Sequence, residues 1–366
     1  MRVSLKMNIL IISADNLYLT PYINFYISIL NQLNINYKVI YWDKNDNEHL
    51  DNNNYIRFFS KGKSKLNKIL GYFKFRIFCK KQIKKSNFEC IIPLHTVISF
   101  ILFDQFIFCF KNKYIYDIRD YSYEKFFIFK FTQKLLINNS LINIISSKGY
   151  KEFLPLGEYF CVHNRPYNNY INYRQYESKN NSVLHISYIG LIRFMEQNKK
   201  VILFFKNDNR FHLNFIGTNA THLKDFCEKN EVNNVTLIDT FDNNQTLDYY
   251  NKADLIMNLY GNNNPLLDYA LSNKLYYAAC LYKPILVCEQ TFMEKITKKY
   301  NIGFTLKMKS KDEKDALYEY AIHLDRKKFI DDCELFMEDV YKDESELLRE
   351  LTKRLKFIKE EQKNND

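Results

Sequence analysis

Two basic side chains follow a strand-like run in "SYIGLIRFMEQNKK", residues 187–200. Arg193 and Lys199 come after Gly190, at the start of a predicted helix. Glycine lets a ligand approach the backbone closely, a helix N-terminus offers free N–H groups, and arginine binds a phosphate through two hydrogen bonds. The pattern predicts a pyrophosphate site. The structural alternative is a basic surface patch on an ordinary strand-to-helix loop.

Two further loops of the second half have suitable side chains. Gly217 ends the run "FHLNFIG", and the Thr and Asn residues after it suit a helix cap as well as a nucleotide pocket. Asn273 and Lys274 open the helix of "SNKLYYAACLYKPILV". An amide suits sugar hydroxyls and an ammonium suits phosphate, so we predict ligand contacts here. The alternative is a capped helix start with a solvated Lys274.

The first half supplies carboxylates and one histidine at strand ends. In "YIYDIRDY" a strand is followed by Asp117, Arg119 and Asp120. A carboxylate near a reacting hydroxyl can accept its proton, and we favour Asp120 over Asp117 for this role. The alternative is an Asp–Arg pair that only stabilises the loop. His95, after "CIIPL", is a further candidate contact, although a simple hydrogen-bonding role is the more common one.

These loops need strands to position them, and the chain supplies two series of short apolar runs separated by helical patterns. The predicted strands are 8–13, 37–42, 89–94, 114–118, 141–146, 159–164, 183–190, 211–217, 234–239, 253–260, 283–288 and 303–306. Strands alternating with helices predict parallel sheets covered on both faces, with ligands beyond the carboxyl ends of the strands. The fold class is therefore α/β, with two Rossmann-like doubly wound domains facing a cleft.

The domain boundaries follow from breaks in this rhythm. We predict an N-terminal Rossmann-like domain (1–165), a polar linker (166–182), a C-terminal Rossmann-like domain (183–330) and C-terminal helices (331–366). The last helix has apolar residues on one face and is expected to pack back on the first domain.

Charge and composition restrict the partners. The chain of 366 residues has a formal net charge of +11. Its eight cysteines form no CxxC and resemble small core residues of a reducing cytosol. The N-terminus has too few apolar residues for a signal peptide, and no apolar run reaches the ~20 residues that a membrane-spanning helix needs. We therefore expect a cytoplasmic protein, and read the run 97–110 as a buried helix.

The segment 61–85 is basic, and no acidic residue occurs between Asn52 and Phe88. It predicts a basic amphipathic helix that can lie on an anionic membrane surface, at the inner face of the cell membrane. Two alternatives stay open, a solvated lysine face and a nucleic-acid patch. No nucleic-acid-binding motif accompanies the segment, so no nucleic-acid partner is expected.

Several of these segments resemble a known family. "NKLYYAACLYKP" resembles the "NKLFEYMACGKP" segment of GT-B glycosyltransferases of the family-4 type (glycosyltransferase group 1), and "SYIGLIR" resembles the first strand of their donor domain. The spacing from Arg193 to Lys199 resembles their Arg/Lys diphosphate pair. "YIYDIRDY" and "LINIISSKGYKEFLP" resemble acceptor-domain segments. The likeness is greatest to polysaccharide-assembly enzymes, including those that build capsules.

The resemblance implies a transferase that moves a sugar from a nucleotide-diphosphate donor to a hydroxyl of a lipid-linked surface glycan. It implies a retaining reaction, no cofactor beyond the sugar nucleotide and no metal, in keeping with the absence of a DxD sequence. Two family Glu positions are Tyr269 and Tyr277 here, with Asp268 beside the first as a substitute. This departure motivates an alternative, a catalytically silent subunit that binds a glycan or a partner enzyme.

Overall fold

The structure is a computed structural model that describes residues 7–20, 22–60, 65–166 and 183–365. It divides into two compact units: unit 1 comprises 1–163 and 342–366, and unit 2 comprises 164–341. The predicted linker, 166–182, lies outside the described residues except for Pro166. The C-terminal residues from 342 onward therefore belong to the same unit as the N-terminal half of the chain.

Unit 1 contains a seven-stranded parallel sheet in the order β3-β2-β1-β4-β5-β6-β7. Its strands are β1 (Asn8–Ser13), β2 (Asn36–Asp43), β3 (Tyr55–Phe59), β4 (Cys90–Leu94), β5 (Ile115–Ile118), β6 (Ile142–Ile145) and β7 (Phe160–Cys161). The strands β1, β4, β5 and β6 are almost wholly buried, as expected for a sheet covered on both faces.

The helices of unit 1 connect these strands. They are α1 (Ile23–Gln32), α2 (Lys65–Lys85), α3 (Thr96–Ile101) and α4 (Phe127–Asn138), with a π-helical turn at Gln105–Cys109. Right-handed crossovers put α2, α3 and α4 on one face of the sheet. The other face buries α1 together with the end of the last helix, through Leu347, Leu351, Leu355 and Ile358.

Unit 2 contains a six-stranded parallel sheet in the order β10-β9-β8-β11-β12-β13. Its strands are β8 (Leu184–Ile189), β9 (Phe211–Ile216), β10 (Val235–Ile238), β11 (Leu255–Asn258), β12 (Ile285–Cys288) and β13 (Gly303–Leu306). Alternate residues of the strands enter the two apolar cores on the two faces of this sheet.

The helices of unit 2 are α5 (Met195–Phe205), α6 (Lys224–Lys229), α7 (Thr246–Lys252), α8 (Pro265–Asp268), α9 (Asn273–Cys280), α10 (Phe292–Tyr300) and α11 (Asp312–Ile322). The last helix, α12 (Arg326–Asn365), has 40 residues and contributes to both units. Its beginning packs in unit 2 through Phe329, Cys333 and Phe336.

The α/β fold class with two parallel sheets is confirmed, and each predicted strand has a counterpart. The sequence reading missed β3, whose run "YIRFF" includes a charged residue. The segment 97–110 is not one buried helix, because α3 ends at Ile101 and the chain then passes Asp104, which pairs with Arg76 and Lys80 of α2. None of the described helices combines the length and apolar content needed to cross a bilayer.

Candidate functional site

Two glycines lie side by side at the carboxyl edge of the unit 2 sheet. Gly190 follows β8 with φ +112° and Gly217 follows β9 with φ +135°. A Cβ at Gly217 would lie 2.0 Å from the carbonyl oxygen of Gly190. Both residues therefore need to be glycine for their backbone angles, and Gly217 also because its neighbour leaves no room. The result is an edge where the backbone is open to a ligand.

The loop after β8 is held in place by buried side chains. The Tyr188 hydroxyl accepts a hydrogen bond from the backbone N–H of Arg193 (3.2 Å) and donates one to the carbonyl of Leu191 (3.0 Å). The buried Asn198 side chain donates to the carbonyl of Arg193 (2.7 Å). The backbone at Arg193 is thus fixed, while its side chain is exposed to solvent. An exposed guanidinium on a fixed backbone suits anion binding.

Lys274 reaches the same edge from the start of α9. The Ser272 hydroxyl caps this helix by accepting a hydrogen bond from the Lys274 backbone N–H (3.3 Å). The Lys274 side chain is 4% exposed, so it is not the solvated residue of the alternative interpretation. Its ammonium donates to the Tyr260 hydroxyl (2.6 Å) and lies 3.9 Å from the position of a Cβ on Gly190.

The environment of this ammonium is unusual for a lysine. Its Nζ atom lies 4.4 Å from the centroid of the Tyr188 ring, a cation–π contact. No carboxylate of the described residues is within ion-pair distance of it. The pKa of Lys274 is lowered to about 8, chiefly by burial and to a lesser extent by the nearby Arg193, against a raising effect of Tyr188. A desolvated cation with no counter-ion is what an anionic ligand would stabilise.

The other predicted donor contacts lie in different surroundings. Lys199 pairs with Glu196 (2.7 Å) and lies over the ring of Phe226 at 5.6 Å. Asn273 is exposed at the first position of α9. The structure thus brings Lys274 to the glycine edge, while the diphosphate contact of Lys199 stays a prediction.

Asp268 and Tyr277 occupy the part of unit 2 in which the resemblance expects carboxylates. Oδ1 of Asp268 is buried and has no hydrogen-bond partner among the described residues, and burial raises the pKa of this carboxyl group. Tyr277 stacks on Tyr250 with 4.6 Å between ring centroids and an interplanar angle of 16°. An aromatic pair therefore stands where the family has its second Glu.

In unit 1 the candidate acids differ sharply in their surroundings. Asp117 is fully buried, pairs with Arg119 (2.7 Å) and accepts a hydrogen bond from the Tyr26 hydroxyl (2.7 Å). Burial opposes ionisation of Arg119, but Asp117, Tyr26 and Tyr22 together outweigh it and the pKa of the guanidinium rises. This is the Asp–Arg pair of the structural alternative. Asp120, our first choice as a base, is exposed directly after this pair.

His95 joins the same end of the sheet from β4. It has φ +75°, in the left-handed region, which is uncommon for a non-glycine residue. Its Nε2 atom contacts the Tyr22 hydroxyl, and the guanidinium of Arg119 lies 4.2 Å from the centroid of the Tyr22 ring. Burial lowers the pKa of His95. The predicted residues therefore lie at one edge of the sheet: Asp117 is within β5, and Asp120 and His95 are on the segments that follow strands.

Sequence reasoning missed the tyrosines that organise both edges. Tyr188 and Tyr260 hold Lys274, and Tyr22 links His95 to Arg119. Tyr260 comes two residues after β11, so its place beyond a strand end was an available signal. Tyr188 lies inside β8 and Tyr22 precedes α1, and the many tyrosines of this chain conceal such residues.

Two clusters of metal-type ligands occur among the described residues, and both already contain a basic side chain. Asp43 and Asp46, near His49, pair with Arg57. Asp343, near Cys161 and His163, pairs with Lys148 (2.6 Å) and with His163 (3.0 Å). These cations neutralise the carboxylates that an ion would need. Independence of metal stays a prediction.

No protein-family model and no curated protein sequence matches this chain significantly. Its fold, however, is similar to that of several solved structures. The chain is similar to sucrose-phosphate synthase from Thermosynechococcus elongatus (TM-score 0.70, 11% identity, 95% of this chain and 99% of that one). It is also similar to the lipopolysaccharide outer core galactosyltransferase WaaB (0.61, 12%, 95% and 99%). A third is HepE of Anabaena in complex with UDP and glucose (0.62, 12%, 95% and 100%).

These similarities extend over nearly the whole length of both proteins in each pair, at identities that show the fold alone. The two parallel sheets with their covering helices match the fold of these structures. The chain has the GT-B fold.

Proposed function

We propose that this protein is a glycosyltransferase that moves a sugar from a nucleotide-diphosphate donor to a hydroxyl group of a glycan. The observation that carries the proposal is the Lys274 ammonium, which is buried beside Gly190 without a carboxylate partner among the described residues. Placing an uncompensated cation at a glycine-lined strand edge is costly unless an anion binds there. A diphosphate has the charge and the acceptor oxygens to fill this role.

The reaction needs charge stabilisation at the leaving group. When the bond from the anomeric carbon to the diphosphate oxygen breaks, negative charge grows on that oxygen. Lys274 and Arg193 would bind this oxygen and its neighbours, and such fixed cations contribute most where water is excluded. In the proposed reaction the acceptor oxygen bonds to the anomeric carbon and its proton passes to a base, for which Asp120 is the candidate.

The sugar of the donor needs polar partners too. Oδ1 of Asp268 is buried without a partner among the described residues, so it is available to accept a hydrogen bond from a hydroxyl group. We propose that Asp268 takes over part of the role of the family carboxylates. HepE binds UDP and glucose, which makes UDP-glucose a reasonable first donor to test.

The acceptor is proposed to be a lipid-linked surface polysaccharide or oligosaccharide, as in capsule assembly. WaaB, which acts on the lipopolysaccharide outer core, has the same fold. Retention of configuration and independence of metal are further parts of the proposal and rest on the family resemblance. We also propose that the protein works at the inner face of the cell membrane, with the basic segment 61–85 attracted to anionic lipid.

One observation favours a second candidate function. Tyr277 stacks on Tyr250 where the family carries a Glu that contacts the donor ribose. A protein without this carboxylate can keep the fold and bind a glycan or a partner enzyme without transferring sugar. Donor hydrolysis and transfer assays on the pure protein separate the two functions.

The direct test is donor binding. We suggest ligand-detected NMR with a panel of sugar nucleotides and with UDP, on the wild type, Arg193→Ala, Lys274→Met and the control Lys200→Ala. Lys200 is an exposed neighbour on α5. A hydrogen bond between charged groups contributes about 1.5–3 kcal/mol, so the first two variants should bind UDP about 10- to 150-fold more weakly. Equal binding by all four proteins would refute the diphosphate site.

A further inference from the structure

Unit 1 exposes an unusual number of large apolar side chains on one face of its sheet. They lie on α2, on the segment that follows α3 and at the beginning of α4. The outermost are Phe127 (82% exposed), Phe108 (77%) and Ile128 (72%). Others are Ile69, Leu70, Phe73, Ile77, Phe103, Phe126 and Phe131. We call these ten side chains the apolar patch. Large contiguous patches of this kind are rare on monomers and mark interaction sites.

The residues of the apolar patch belong to one layer of the fold. The helix α3 packs against both α2 and α4, and Phe100 of α3 stacks on Phe129 of α4 with 5.1 Å between ring centroids. Arg76 and Lys80 of α2 both pair with Asp104 in the segment after α3. The three helices are therefore fixed to one another, and their outer side chains form a common surface.

Topology orients this surface. Crossover helices run antiparallel to the strands they connect, so the first turns of α2 and α4 lie at the carboxyl edge of the sheet, the edge of His95 and Asp120. The apolar residues Phe73 and Phe127 occupy the first halves of their helices, and exposed lysines come after them. These lysines are Lys74, Lys81, Lys84, Lys85, Lys130 and Lys134.

The charged residues around the apolar patch indicate which kind of partner covers it. The sequences of α2 and α4 together contain ten basic residues and no acidic residue. Two copies meeting through this face would bring these like charges together, which disfavours a dimer. An anionic bilayer has the opposite charge at its headgroups and an apolar interior beneath them. It therefore matches both the lysines and the apolar patch.

We propose that the apolar patch inserts into the acyl region of an anionic membrane, with Phe127 and Ile128 deepest and the lysines of α2 and α4 at the phosphates. The electrostatic attraction of the segment 61–85 then brings the protein to the surface, and the inserted side chains hold it there. Insertion does not depend on sugar transfer. It would bring the carboxyl edge of the unit 1 sheet, with His95 and Asp120, close to a lipid-carried acceptor. This consequence, but not insertion itself, rests on the proposed function.

The test uses a tryptophan as a depth probe. The chain has one natural tryptophan, Trp42, which is buried and gives a constant background. We suggest Phe127→Trp and the matched control Phe357→Trp, because Phe357 is also exposed (59%) on unit 1 but lies outside the apolar patch. The probe is a vesicle of phosphatidylcholine with about a third phosphatidylglycerol. We expect a blue shift, and quenching by brominated acyl chains, for the Phe127→Trp variant alone.

A second variant measures the contribution to binding. In vesicle flotation, Phe127→Ser combined with Phe131→Ser should lower the bound-to-free ratio at least tenfold at both 0.1 M and 0.5 M salt, while Phe357→Ser leaves it unchanged. Unchanged circular dichroism would show that the variants fold, and unchanged transfer to a soluble acceptor would separate this result from the catalytic proposal. If 0.5 M salt abolishes vesicle binding by the wild type, the insertion proposal is wrong. It is also wrong if the wild type sediments as a dimer and the double variant as a monomer.

Discussion

Replacing Lys274 by methionine should stabilise the protein without ligand and weaken its response to a nucleoside diphosphate. The pKa of this lysine is about 8, compared with 10.5 for an ordinary lysine. Each pKa unit corresponds to about 1.4 kcal/mol, so the charged side chain costs the folded state about 3 kcal/mol at pH 7. Methionine has a similar length and needs no charge to be desolvated.

Part of this gain is offset, because the hydrogen bond to the Tyr260 hydroxyl is lost. That loss amounts to about 1–2 kcal/mol. The net increase in the free energy of unfolding is then about 1–2 kcal/mol. For a unit of this size it corresponds to a rise in Tm of roughly 2–8 °C. The double variant with Tyr260→Phe removes the orphaned hydroxyl and should recover more of the gain.

The pH dependence of stability is a second, independent test of whether the buried charge of Lys274 destabilises the folded state. The pKa of Lys274 is lower in the folded state, so the unfolded chain binds more protons between pH 8 and pH 10.5. Wild-type stability should therefore rise relative to Lys274→Met across this range. The difference in Tm between the two proteins should be largest at pH 7 and small near pH 10.

The assay is differential scanning fluorimetry of the full chain at pH 7 and pH 9.5, with and without UDP. UDP should raise the Tm of the wild type and of the exposed control Lys200→Met, and raise that of Lys274→Met much less at the same UDP concentration. The reasoning is refuted if Lys274→Met melts several degrees below the wild type at pH 7, or if UDP stabilises it fully.

Three further predictions concern other parts of the fold. Gly217→Ala puts a Cβ 2.0 Å from the Gly190 carbonyl oxygen, so the Tm of unit 2 should fall by about 10 °C or more in a thermal melt. Burial opposes protonation of His163, but Cys161 and the Asp343 carboxylate outweigh it and raise the pKa of His163 to about 9. This contribution of about 3 kcal/mol is complete below pH 6.5 and should be lost as pH rises through 9, in urea titrations. Asp120→Asn should fold normally, because the side chain is exposed, and lower the transfer rate about 100-fold.

Each of these predictions has a control. Gly157→Ala meets its nearest neighbours at 3.5 Å and should melt like the wild type. Asp343→Asn should reduce the pH dependence assigned to His163, because it removes one of the two groups that raise the pKa of this residue. A normal rate of sugar transfer in Asp120→Asn would mean that another group acts as the base. Loss of folding in Gly157→Ala would show that the argument from Cβ contacts does not hold for this chain.

Much of the fold follows from local pattern. The strand β1 occurs at the residues predicted for it, because buried parallel strands appear in the sequence as short, continuous apolar runs. The edge strand β13 also occurs at its predicted residues, although three of its four residues are only half-buried. β3 was missed because it lies towards the sheet edge, where half-buried positions tolerate Arg57. The break after α3 depends on Asp104, whose partners are on α2, and a local pattern does not contain such contacts.

The candidate site is less accessible to sequence reasoning. The positions of Gly190 and Gly217 after strands were predictable from spacing, and so was the capped start of α9 at Asn273. The burial of Lys274 was not, because it depends on Tyr188 of β8 and on Tyr260 in the segment after β11. Long-range packing decides the charge environment of a side chain, and that environment distinguishes a solvated lysine from one that binds a ligand.

The 40-residue helix α12 has a consequence for synthesis. Unit 2 is continuous in sequence, whereas the core of unit 1 needs Leu347 and Leu351, which are translated after all of unit 2. During translation, unit 2 can therefore complete its core first. Until α12 has been made, one face of the unit 1 sheet lacks the apolar side chains that cover it in the folded protein. Nascent unit 1 should depend on chaperones during this interval, despite being the first part of the chain to emerge.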